Sequence, residues 1–157
     1  MGAGSETKAG AGKTGDAADA TLACSCALAR RAARQMTQAY DRALKPAGMR
    51  LTQYAVLSAV RGEGGRTISD IADMLAMDRT TLTRNLRPLE KAGWVRVGDG
   101  ADRRCRAVFI TEEGRAAFAR AMPFWEEAER GFRDRVGQAD AAALRQLLRA
   151  VTKAAAA

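Results

Sequence analysis

Two thiols stand two positions apart in "LACSCALARRAARQMTQAYDRAL", at Cys24 and Cys26, and Arg30 and Arg31 follow about one turn later. A thiolate held near cations can attack a peroxide or bind a soft metal, whereas a thiol among apolar groups is only a small hydrophobe. The third cysteine, Cys105, stands alone, and the chain has no histidine. The lack of imidazole removes Ser–His and Cys–His nucleophiles, histidine general bases and histidine metal sites together. "GAGKTG" at residues 10–15 lacks the spacing of a phosphate-binding loop, and no strand precedes it. Neither an enzyme nor a bound cofactor is expected.

A second set of residues suits recognition rather than reaction. "MDRTTLTRNLRPLEKAGW", residues 77–94, carries Thr80, Thr81 and Thr83 among Arg79, Arg84 and Arg87. Placed on a helical wheel at about 100° per residue, Leu82, Leu86 and Leu89 fall on one side. Thr80, Thr83, Arg84 and Arg87 fall on the other, with Arg79 at the N-terminal edge. Short hydroxyls beside arginines suit the major groove of DNA. Threonine can bond a phosphate or touch a thymine methyl, and arginine can fork onto guanine. Pro88 removes a hydrogen bond to the Arg84 carbonyl and should kink the helix beyond these residues.

Composition agrees. Lys plus Arg is 26 against 18 acids, a net charge of +8, which implies a polyanionic partner, nucleic acid before an anionic membrane surface. With 157 residues, 47% of them hydrophobic, the chain suits one domain with a real core. No apolar run approaches a membrane span, and residues 1–20 carry no secretory signal. Cysteines in such a chain point to a reducing cytoplasm.

These residues need elements to hold them. Residues 1–20 contain nothing large to bury and read as a disordered tail, followed by one domain over 21–157. Residues 22–44 form a long alanine-rich helix ended by Pro46 and Gly48. A second helix covers 51–60, and "RGEGG" is a loop. Thr67 caps a short helix with Asp70 in its first turn, and Ile68, Ile71, Ala72 and Leu75 point inward. "AMD" makes a tight turn, Asp78 caps the arginine-bearing helix and Gly93 stops it. "WVRVG" and "CRAVFI" read as strands joined by the polar tip "DGADRR". Thr111 caps a helix that stops at Gly137, and a last helix over 140–153 carries Leu144, Leu147, Leu148 and Val151.

The order implies a mainly α fold with a small β-wing: a winged helix-turn-helix with N- and C-terminal dimerisation helices. The dimerisation helices are placed at about 21–45 and 112–153, and the DNA-binding part at about 50–111. Their apolar stripes exceed what a three-helix wing core can cover, so a homodimer is expected. At the tip, Asp102, Arg103, Arg104 and Arg106 concentrate charge where little can be buried. An arginine there can enter a minor groove, and Asp102 can hold Arg104 in position.

"TISDIADMLAMDRTTLTRNLRPLEKAGWV", then "DRR", then "VFITEEGR", resembles the MarR family of winged-helix transcription factors. The resemblance covers about residues 22–148. It implies a homodimer with intertwined terminal helices, bound to a pseudo-palindromic double-stranded operator. It also implies repression relieved by a ligand or by oxidation. The family's DNA-contacting roles fall on Thr80, Thr81, Thr83 and Arg84 of the helix, and on Asp102 and Arg104 of the wing.

The first helix is similar to that of the organic-peroxide-sensing branch, with Cys26 at its reactive cysteine and Tyr40 at its tyrosine partner. These positions are fourteen residues apart in sequence, about 21 Å of helix, so within one chain they cannot touch. An antiparallel pairing of first helices would bring Cys26 to Tyr40 of a second copy. The branch has a second tyrosine where this chain has Leu51, and no cysteine follows Cys105. Two other sensors stay open. Residues two apart on a helix point about 200° apart, so Cys24 and Cys26 can take a soft metal or metalloid only if the helix starts after Cys26, or if Cys105 or another subunit joins. A small aromatic or phenolic effector can enter a cleft near Met36, Tyr40, Tyr54, Phe124 and Trp125.

Overall fold

The computed structural model describes residues 24–100 and 105–155, so the tail expected over residues 1–20 and the tip residues Asp102, Arg103 and Arg104 lie outside the described residues. The elements are α1 (Ser25–Leu44), a 3-10 turn (Lys45–Ala47), α2 (Leu51–Val60), β1 (Arg66–Thr67), α3 (Ile68–Met74), α4 (Arg79–Lys91), β2 (Val95–Asp99), β3 (Arg106–Ile110), α5 (Glu112–Val136) and α6 (Gln138–Ala155). The class is the expected one, mainly helical with a small antiparallel sheet.

Two compact units divide the chain, residues 1–38 and 39–157. The described part of the first, residues 24–38, is most of α1. Its sequence has no proline or glycine to interrupt the helix. Its side chains are largely exposed, and the Thr37 hydroxyl donates back to the Ala33 carbonyl at 2.8 Å.

The second unit holds the core. The last turns of α1 contribute Tyr40 and Leu44, both buried. Pro46 shapes the 3-10 turn, and Gly48 leaves it at φ +67. Helix α2 is enclosed, with Tyr54, Val56, Leu57, Ala59 and Val60 all buried. Around it pack Ile71 of α3, the stripe Leu82, Leu86 and Leu89 of α4, and Val95 and Val108 of the sheet. The Tyr54 ring stacks on Phe118 at 4.7 Å and on Trp125 at 5.6 Å. Tyr54 is thus buried within the fold rather than lining an open cleft.

Tyr40 donates its hydroxyl proton to Glu129, and the other oxygen of Glu129 receives Arg145 at 3.2 Å. This chain ties the end of α1 to α5 and α6. Burial, and then the bond to Glu129, push the Tyr40 phenol well above the ordinary tyrosine range. Helix α6 buries Ala141, but it leaves Leu147, Leu148 and Val151 uncovered, at 63, 46 and 61% exposure.

The sheet has order β1-β3-β2. Val97 faces Val108, while Arg66 faces Val108 on the other side. Strand β1 was not expected, because two residues show no alternation and Thr67 reads only as a cap. The cap is real: its hydroxyl accepts the Asp70 amide at 3.1 Å. Just before β1, Gly65 sits at φ +72 against Phe109. A Cβ there would lie 2.5 Å from the ring. The turn between α3 and α4 passes through Ala76 at φ +49, with the Met77 amide bonded to the Ala72 carbonyl at 2.8 Å. That is the bond pattern of a helix C-cap with alanine where glycine is usual.

A junction closes the wing. Gly93 stops α4 at φ +72. The Thr111 hydroxyl donates to the Gly93 carbonyl at 2.6 Å and accepts the Gly114 amide at 3.0 Å. The Thr111 amide bonds the Trp94 carbonyl at 3.1 Å. Gly114 is packed so closely there that a Cβ would lie 2.0 Å from the Trp94 oxygen. Backbone would have to move to admit it. Gly114→Ala should therefore destabilise the fold by about 1–3 kcal/mol, despite alanine's better helix propensity, and lower the thermal midpoint.

Candidate nucleic-acid interface

Helix α4 begins at Asp78, an extended residue whose side chain accepts the Thr81 amide at 2.7 Å. The Thr81 hydroxyl donates to the other carboxylate oxygen at 2.6 Å. The Thr81 hydroxyl, then the Thr81 amide, hold the Asp78 carboxyl below its ordinary range. Thr81 thus serves the cap. Its position three residues after an N-capping Asp was the available sequence signal.

The cap fixes what the rest of the helix presents. Arg79, Thr80, Thr83, Arg84 and Arg87 are all exposed and line one groove of about 360 Å³. The leucines on the opposite side are fully enclosed. None of Arg79, Arg84 and Arg87 pairs with a carboxylate among the described residues. Pro88 does not end the helix, which continues to Lys91. The surface offers cations and hydroxyls at helical spacing, suited to phosphates and base edges.

On the wing, Arg106 is exposed on β3 opposite Asp99, and the Gly100 amide bonds the Cys105 carbonyl at 2.8 Å. Arg96 lies over the Phe109 ring, 4.0 Å from its centroid. This stack joins two strands and was invisible in the sequence.

The thiols form a separate group in the first unit. Cys24 immediately precedes α1 and Cys26 lies in its first turn, so the helix starts before Cys26 rather than after it, as a two-cysteine metal pair would need. Both are exposed and line a groove of about 380 Å³ with Arg30, Arg31 and Arg34. Arg30 donates to the Cys26 sulfur at 3.4 Å. The Cys24 thiol is lowered from its ordinary value by the backbone amides of Ala27 and Cys26, with Arg30 adding a smaller effect. No group of three or more His, Cys, Asp or Glu side chains able to hold a metal ion occurs among the described residues.

Comparison with known proteins follows this geometry. A family model described as the MarR family matches residues 47–104. YwoH, an HTH-type transcriptional regulator of Bacillus subtilis, is 31% identical over 106 residues, 65% of this chain and 77% of the relative. The chain belongs to the MarR family of transcriptional regulators. The M. tuberculosis regulator MosR, solved in complex with DNA, is 41% identical to this MarR-family chain, with a TM-score of 0.76, covering 84% of this chain and 96% of MosR. CouR, solved on a 23-mer DNA duplex, is 23% identical with a TM-score of 0.74, covers 94% of this chain and 99% of its own, and shares the MarR fold. No described helix is long and apolar enough to cross a membrane.

The thiol group yields a chemical expectation. With its thiolate favoured by helix amides, Cys24 should react with iodoacetamide at neutral pH faster than Cys105, which is also exposed. Timed alkylation followed by peptide mass spectrometry checks it.

Proposed function

We propose that this protein is a homodimeric, sequence-specific DNA-binding repressor, released from a pseudo-palindromic operator by oxidation at Cys26 with Cys24 as its partner thiol. The observation that carries the DNA reading is the exposed groove of Arg79, Thr80, Thr83, Arg84 and Arg87 on the second helix of a helix-turn-helix. The DNA complex of MosR, at 41% identity, supports it. In this reading α4 enters the major groove, and Arg106 and the tip residues Asp102, Arg103 and Arg104 follow the neighbouring minor groove. The uncovered Leu147, Leu148 and Val151 of α6 are the apolar surface a second copy would bury.

The oxidation reading rests on two exposed thiols sharing one arginine-lined groove. A thiolate attacks the peroxide O–O bond, giving a sulfenic acid and an alcohol. The second thiol then displaces water to form a disulfide. In a reducing cytoplasm the pair rests as thiols. Closing a bridge beside the start of α1 alters a helix assigned to the dimer, whose recognition helices must stay about 34 Å apart to meet successive major grooves. Tyr40, assigned by resemblance to a second copy's Cys26, is engaged by Glu129 in its own chain. Its contribution here is to hold α1 against α5.

A second reading, release by a small molecule, has one observation in its favour. Arg42, Lys45 and Arg50, with Asp41 as the one carboxylate among its lining residues, surround a groove of about 550 Å³ beside the start of α2, whose net positive lining suits an anionic effector. CouR has been solved bound to p-coumaroyl-CoA.

Arg84→Ala should weaken operator binding by about 1–3 kcal/mol and relax specificity at one position per half-site. Fluorescence anisotropy on operator and random duplexes separates a base contact from a phosphate contact, which would lower both equally. Organic hydroperoxide should release the wild type, and dithiothreitol should restore it. Cys24→Ser and Cys26→Ser should stay bound under oxidant, while Cys105→Ser should still respond. Release of Cys26→Ser at the wild-type peroxide concentration would favour the small-molecule reading.

A further inference from the structure

The three threonines of α4 differ in where their hydroxyl protons go. Thr81 gives its proton to the Asp78 carboxylate at 2.6 Å. Thr83 gives its proton to the Arg79 carbonyl, one turn back, at 2.7 Å. Thr80 makes no side-chain hydrogen bond among the described residues, and the carbonyl four residues before it belongs to Ala76, outside the helix. A hydroxyl has one proton and two lone pairs. Once Thr83 has bonded its own helix, it cannot donate to a phosphate oxygen, which is itself only an acceptor. What it still presents is its γ-methyl group and a lone pair. Thr83 is nevertheless exposed and lines the arginine-bearing groove with Thr80 and Arg84.

We infer that Thr83 is a specificity residue that reads the C5-methyl group of a thymine, while Thr80 donates to the DNA backbone. This rests on the reading that α4 occupies the major groove. The back-bond makes Thr83 the apolar element of a polar face: it fixes the side-chain rotamer and so holds the methyl in place. In the major groove, the thymine methyl is the one apolar feature that a base pair offers. The flanking Arg79, Arg84 and Arg87 supply the charge, so Thr83 need not contribute to phosphate binding.

The test begins with a duplex enriched from random DNA by the wild-type protein. Each thymine is then replaced in turn by deoxyuridine, which removes only the methyl group. At one thymine per half-site the wild type should lose about fourfold in affinity, the worth of one buried methyl. Thr83→Ser keeps the hydroxyl and its back-bond, and should bind thymine and uracil duplexes equally at that position. Thr83→Val keeps a methyl and lacks the hydroxyl, and should retain the preference. If no duplex is enriched, both the major-groove reading and this inference fall. If a duplex is enriched but no uracil replacement matters, or if Thr83→Ser keeps the preference at every thymine, this inference alone is overturned.

Discussion

The Thr111 hydroxyl is the bond on which the arrangement of this fold depends. In one position it accepts the Gly114 amide in the first turn of α5 and donates its proton to the carbonyl of Gly93, just beyond α4. Helix α4, the wing and the long helix α5 therefore meet at a single side chain. The close approach of Gly114 to the Trp94 carbonyl leaves no room for the junction to slide. Any change in the course of α5 is passed to the end of α4 through hydrogen bonds of about ordinary length rather than through a soft apolar contact.

The recognition surface is built by subtraction. The leucine stripe fixes which side of α4 faces inward, Asp78 fixes where the helix starts, and two of its three threonines are committed to the helix itself. What remains outside is a row of arginines without carboxylate partners among the described residues. Such a row repels itself, and a polyanion relieves that repulsion. The wing adds a second cation platform, since Arg96 rests on Phe109 and is held broadside to the sheet.

Much of this was legible in the sequence because it depends on local rules. The 3.6-residue period found Leu82, Leu86 and Leu89, and all three are buried. Capping chemistry found Thr67, Asp78 and Thr111 at the starts of their helices, and all three accept the expected amides. The parts that were not legible depend on distant chain. Strand β1 exists only because β3 offers it an edge. The Arg96–Phe109 stack joins residues brought together by hairpin register. Tyr40 looked like a group awaiting a second subunit, and only the folded chain reveals Glu129 beside it. That Cys24 lies just outside α1 and Cys26 within its first turn follows from a helix that starts at Ser25, a boundary that composition alone sets to within a few residues.

The alanine in the helix-turn-helix bend has a mechanical meaning. For a residue with a Cβ the left-handed basin is a small well, whereas glycine ranges over a broad one. Ala76, at φ +49, occupies that small well at some cost in stability relative to glycine. A narrow well is a stiff spring. A narrow well at this residue limits the range of φ through which the α3–α4 turn can swing. In the proposed reading, an operator would be met by a helix whose tilt is held within narrow limits at this bend. Torsional stiffness at this one small residue thus adds to what the packed leucines do in fixing how α4 is presented.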